Sequence, residues 1–136
     1  MFPECELPGF LIERPLPAGV KAAWDAMVAV IGADLVEVGG EHSFSLDQWP
    51  LVERTTEIDA PRRRVYEIVS GAPVRRYEGT TTFEPGPGGS ARAVLRWEVV
   101  IEPADEPYDA FLARAEVAVT RGVDFIAQHC SRGAIS

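Results

Sequence analysis

Six polar side chains on strand-like segments could do chemistry together: His42, Arg54, Thr56, Tyr66, Tyr77 and Thr81. His42 carries an imidazole that titrates near neutral pH when unperturbed and could act as a general base. Arg54, on an inward strand face, must pair with a local acid, bond a ligand carboxylate or phenolate, or reach out to the cavity mouth. Tyr66 and Tyr77 could present hydroxyls to a cavity, or satisfy them against backbone at a sheet rim. His42, Arg54 and Tyr66 are the candidate catalytic residues, able between them to polarise a carbonyl and move a proton. Each has a plain structural reading beside the chemical one: a satisfied histidine, an arginine paired with a neighbouring acid, a buried tyrosine. No partner carboxylate is placed for His42 by the sequence.

Strands must position these groups. In SARAVLRWEVVIEP, Ser90 to Pro103, every second residue gives Ala91, Ala93, Leu95, Trp97, Val99 and Ile101 on one side, against Arg92, Arg96, Glu98 and Glu102. This period of two predicts a half-buried strand, with Leu95 and Trp97 facing the core and Arg96 and Glu98 facing solvent. Further strands are expected over Phe10–Arg14, Ala33–Val38, His42–Leu46, Leu51–Ile58, Arg64–Ser70 and Arg75–Glu84, punctuated by turns at Asp47–Pro50, DAPR and PGPGGS. Requiring apolar faces to coincide predicts two inward rows: Phe44, Arg54, Ile68, Tyr77, Trp97, and beside it His42, Thr56, Tyr66, Gly79, Leu95. A solid core seldom carries so many polar heads; a ligand cavity is mostly apolar with a few converging donors and acceptors.

Two helices frame the meander. Val20, Ala23, Trp24, Met27 and Ile31 fall at helical spacing before Gly32. Tyr108, Phe111, Leu112, Ala115, Val119, Gly122 and Ile126 mark a long closing helix that fades near Ser131, leaving 131–136 as a frayed tail. That helix is the long element available to cover the apolar face of the sheet. Ala115, Ala118 and Gly122 leave room along it. Phe111, Ala115 and Val119 therefore join the inward sheet residues, Thr81 among them, as expected ligand contacts.

The bulk properties narrow the classes. A chain of 136 residues fits a single domain, 1–136, large enough for its own core. A formal charge of -8 opposes a nucleic-acid partner, since affinity for polyphosphate rests on Lys and Arg. No apolar run reaches bilayer length and the N-terminus lacks a signal pattern, so a cytoplasmic chain without integral membrane association is expected. Cys5 and Cys130 show no CxxC spacing and read as free thiols, with no metal and no cofactor expected. The runs Arg62–Arg64 and Arg75–Arg76 are interleaved with Glu57, Asp59, Glu67 and Glu78 and read as ion pairs on a solvated face. No GxSxG, HExxH or phosphate-cradling loop is present.

The run Leu51 to Pro103 resembles the polyketide cyclase/dehydrase branch of the START-like, or SRPBCC, superfamily, in Glu53, Asp59, Tyr66, Ile68, Gly71, Tyr77, Gly89, Trp97 and Pro103. Trp24 matches the tryptophan that often follows the first strand of that family, which adds it to the expected ligand contacts. The resemblance implies an α+β helix-grip fold: a bent antiparallel sheet wrapped round the C-terminal helix, with a largely apolar cavity between them. It also implies ligands such as lipids, sterols, polyketides and plant-type aromatics. The second short helix usual in the family has little room between Met27 and Glu41, so a shortened helical segment is expected there. Three functions follow: binding of a hydrophobic, aromatic or lipid-like molecule; an aromatase/cyclase-type enzyme performing aldol closure and dehydration; or a homodimeric interaction protein. Binding is preferred, because no acid/base pair is recognisable.

Overall fold

The computed structural model describes residues 7–87 and 90–135. Its strands are β1 (Gly9–Pro15), β2 (Glu41–Leu46), β3 (Trp49–Asp59), β4 (Arg63–Ser70), β5 (Val74–Gly86) and β6 (Ser90–Pro103). They form one antiparallel sheet in the order β1-β6-β5-β4-β3-β2. Helix α1 (Val20–Ile31) follows β1, and helix α2 (Asp109–Ile135) follows β6. The sheet curves around α2, the helix-grip arrangement. Register shifts in the β3–β4 and β5–β6 pairings supply bends along the strands, because a bulge adds a residue on one side and increases local twist.

β6 follows its alternation. Ala93, Leu95, Trp97, Val99 and Ile101 are buried, and Arg96 and Glu98 are exposed. The facing side of α2 buries Phe111, Ala115, Val119, Val123, Ile126 and Cys130. Helical backbone continues past Ser131 to Ile135, further than the apolar stripe implied, because a helix anchored by buried Ile126 and Cys130 adds turns at little cost. Helix α1 ends at Gly32, whose φ of 99° suits glycine and whose N–H bonds the Val28 carbonyl at 2.8 Å.

The segment expected to be a strand over Ala33–Val38 is instead a 3-10 turn, Ala33–Val36, the shortened helical piece of this fold. Leu35 N–H closes back on Gly32 O at 3.2 Å and Gly40 N–H on Glu37 O at 3.0 Å, so the chain turns before it can extend. The segment is then tied to β3, with Gly39 N–H bonding Thr55 O at 2.8 Å and Thr55 N–H bonding Gly40 O at 3.0 Å. Leu35 is thereby buried with its carbonyl pointing to the sheet. No helix is long and apolar enough to cross a membrane among the described residues. Cys130 is a free, buried thiol; Cys5 and part of the PGPGGS turn lie outside the described residues.

Candidate functional site

Five strands, β2 to β6, and α2 line a cavity of about 170 Å³ that opens to solvent on one side. Phe44, Tyr66, Ile68, Tyr77 and Trp97 line it from the sheet, and Phe111, Ala115 and Val119 from α2, as the sequence predicts. Leu46, Leu51, Glu53 and Ala118 complete the wall. Trp97 lies against Gly122, where an added Cβ would sit 3.4 Å from its Cζ3. Its indole N–H donates to the Tyr66 hydroxyl at 3.1 Å, and the two rings meet edge to face with centroids 6.3 Å apart.

The polar side of the wall is built on β3 and β4. Glu53, Thr55, Arg64 and Tyr66 all point inward. Arg64 is 1% exposed, and its Nη2 donates to Glu53 Oε2 at 2.6 Å and to Thr55 Oγ1 at 3.1 Å. Its Nε donates to the Leu35 carbonyl at 2.8 Å, which also accepts from the Thr55 hydroxyl at 2.6 Å. The guanidinium carbon sits 4.7 Å from the centroid of the Tyr66 ring, in cation–π range. A guanidinium taken out of water in this way needs its partners, and here the 3-10 turn, Thr55 and Glu53 supply them.

This arrangement corrects the expected register of β3. Arg54 points out of the sheet, with its side chain 48% exposed and its Nε bonded to Glu41 Oε2 at 2.7 Å. Thr56 is exposed too. The ladder pairs Glu53 with Ile68 and Thr55 with Tyr66, and a register shift lies between Thr55 and Glu57. Beyond the shift, Ile58 stands opposite inward Arg64, so Ile58 shares a face with Thr55 despite their odd spacing. Counting back from Ile58 by twos leads to Thr56 and Arg54, the wrong face. Arg64 corrects a second expectation: the Arg62–Arg64 run is not wholly solvated. Arg63 pairs outside with Glu57 at 3.2 Å and Arg76 with Glu67 and Glu78 at 3.0 and 2.9 Å, as expected of that face.

The remaining candidates fall around the cavity without lining it. His42 is exposed on the edge strand, stacked on Phe44 with centroids 5.7 Å apart, and pairs across the ladder with Glu53. It borders a second pocket with Val30, Ile31 and Leu35, whose wall shares Phe44 and Glu53 with the cavity, and it is not among the residues that line the cavity itself. Thr81 and Leu95 are fully buried deeper in the core. Thr81 Oγ1 has no hydrogen-bond partner among the described residues, and its strand row runs between Arg64 and Trp97. Trp24 packs edge to face on Phe83 at 6.1 Å under α1. Among the described residues, no group of three or more His, Cys, Asp or Glu could hold a metal ion.

Gly79 makes room for Tyr66. A Cβ at Gly79 would come within 2.2 Å of the Tyr66 ring carbons, so the ring occupies the place of a side chain. Gly79→Ala is therefore expected to displace Tyr66 and lower stability by about 1–3 kcal/mol. Chemical denaturation measures the loss, and a shift in the Trp97 indole N–H resonance reports the broken bond to Tyr66. An unchanged midpoint and resonance would show that the ring does not depend on the glycine.

Burial pushes the Tyr66 hydroxyl up to about 12, and the nearby Glu53 charge acts in the same direction. The Trp97 hydrogen bond and the Arg64 charge pull it down by less. Burial likewise raises Tyr77. Tyr66 is thus a neutral hydrogen-bond donor at ordinary pH, its oxygen already accepting from Trp97. Because the folded value lies above the ordinary 10.0, this contribution is fully present below pH 10 and is lost as pH rises toward 12. Complete loss amounts to about 2–3 kcal/mol for Tyr66. Urea midpoints are expected to fall across that alkaline window, less steeply in Tyr66→Phe; equal slopes would contradict the assignment.

Comparison with known proteins bears on both fold and family. XoxI from Bacillus cereus superposes with a TM-score of 0.68 at 13% identity, over 91% of this chain and 96% of that one. Ara h 8.0201 gives 0.66 at 14% identity, over 93% and 99%. DynU16, from the dynemicin biosynthetic locus, gives 0.68 at 14% identity, over 92% of this chain and 48% of that one. At these identities the likeness is one of fold. No curated protein matches the sequence. A family model does match, over residues 15–130, spanning strands β2 to β6, the cavity wall and most of α2, and by that match the chain belongs to the polyketide cyclase / dehydrase and lipid transport family.

Proposed function

We propose that this chain binds a small hydrophobic molecule between the sheet and α2. The observation that carries the reading is the cavity itself: apolar over most of its wall, with Tyr66, Tyr77 and Glu53 converging on one side. Burial of a ring's apolar surface there is the main favourable contribution to such binding. The family description, which joins cyclase and lipid-transport roles, supports a ligand of this kind.

One feature supports a second reading. Glu53 and Tyr66 share the cavity, a carboxylate able to take a proton beside a hydroxyl able to polarise a carbonyl, as aldol closure and dehydration would need. Tryptophan fluorescence during titration with single-ring and fused-ring apolar compounds tests binding, and mass analysis of the recovered ligand tests turnover. Quenching with ligand returned intact supports the binding module. Altered ligand, with its formation abolished in Tyr66→Phe, supports the enzyme. Absence of quenching by every compound would overturn both.

A further inference from the structure

We propose that the cavity selects an uncharged aromatic alcohol of one or two rings, its hydroxyl held on the Glu53 carboxylate, and turns away acyl anions. The inference rests on the cavity-binding reading above and adds what the ligand must carry.

The first ground is the placement of charge. Glu53 is the one acidic or basic side chain of the Asp, Glu, Lys, Arg and His types that lines the cavity among the described residues. Its side chain is 14% exposed and its partner Arg64 only 1%. The positive member of the pair is not among the lining residues, and its Nε and Nη2 donate to Leu35, Thr55 and Glu53. The pair is neutral as a whole but shows its acid end to the cavity. A ligand hydroxyl donating to that carboxylate makes a charge-assisted hydrogen bond without adding net charge to an apolar space. A carboxylate ligand would meet a like charge and lose its hydration with no cation to replace it. An ammonium would add a second positive charge near Arg64, where Glu53 is already neutralised.

The second ground is the donor opposite. The Tyr66 oxygen accepts from Trp97 Nε1, and the Tyr66 and Tyr77 hydroxyls share a hydrogen bond, so one of the two phenol protons is left to give to a ligand oxygen. The burial and the Glu53 charge that keep the hydroxyl protonated make it a donor and not a second anion. The wall thus offers one acceptor and one donor, the complement of a hydroxyl group. The third ground is size. A cavity of about 170 Å³ is comparable with the ~150 Å³ void that takes benzene in an engineered protein interior. Extended acyl chains and multi-ring skeletons would leave much of their apolar surface in water at its open mouth.

The test uses four probes of one shape on the whole chain at neutral pH: para-propylphenol, propylbenzene, para-propylbenzoate and para-propylbenzylammonium. Calorimetry gives affinities, and the Trp97 indole N–H resonance reports occupancy of this cavity. Para-propylphenol is expected to bind about tenfold tighter than propylbenzene, with the benzoate weakest of the four. In Glu53→Gln the phenol advantage should fall to about twofold or less and the benzoate should gain affinity. That variant leaves Arg64 without its counter-charge, so Glu53→Leu combined with Arg64→Met supplies a second comparison, in which propylbenzene should overtake the phenol. Propylbenzene equal to the phenol in the unmodified chain, or benzoate at least as tight as the phenol, would overturn the selection while leaving cavity binding standing. Failure of all four probes to move the Trp97 resonance would overturn the cavity reading and this inference with it.

Discussion

Replacing Arg64 with alanine is expected to lower stability by about 3–5 kcal/mol, the range for breaking a buried ion pair from one side. The loss has several parts. Glu53 would lose its counter-ion beside an apolar cavity, and the Leu35 carbonyl and Thr55 hydroxyl would each lose the donor that Arg64 supplies. The Tyr66 ring would also lose the guanidinium 4.7 Å from its centroid. A fall in urea midpoint measures the effect, and Arg54→Ala is the control. Arg54 pairs with Glu41 at the surface, side chains 48% and 45% exposed, where such pairs are worth less than about 1 kcal/mol. A midpoint shift for Arg64→Ala no larger than that of Arg54→Ala would refute the structural role of the buried pair. Replacing Glu53 and Arg64 together with leucine and methionine should recover most of the loss, because the larger cost lies in the charge left behind.

Trp97→Ala is expected to destabilise by about 3 kcal/mol, the low end of the range for truncating a large buried aromatic. Trp97 is 8% exposed, fills the space over Gly122 and donates its N–H to Tyr66. The low end applies because the ring already borders an open cavity, so its removal enlarges a void in place of creating one in close-packed surroundings. The same enlargement should admit bulkier ligands while weakening the binding of single rings. Chemical denaturation and calorimetry with para-propylphenol check the two effects separately. No change in midpoint would place the residue outside the core.

Most of the architecture and of the apolar wall is legible in the residue pattern, the strand expected over Ala33–Val38 excepted. Alternation in β6 assigned Leu95 and Trp97 inward and Arg96 and Glu98 outward, because a pleated strand turns successive side chains to opposite faces. Helical spacing likewise selected Phe111, Ala115 and Val119 of α2. Arg64 has the same parity on β4 as Tyr66 and Ile68, yet a triple-arginine run in an acidic chain reads as solvated until its partners are known. Those partners come from the 3-10 turn and from β3, far apart along the chain, and a charge is tolerated inside only where such groups converge. Glu53 stands among the residues of the family resemblance, but its role was hidden by the register shift between Thr55 and Glu57, which reverses the face of every residue counted through it. One unpaired residue in a ladder leaves no mark in composition or periodicity. Its position is set by how β3 bends against β4 and against α2, and so the carboxylate, the buried arginine and the polar side of the cavity were decided only by the tertiary structure.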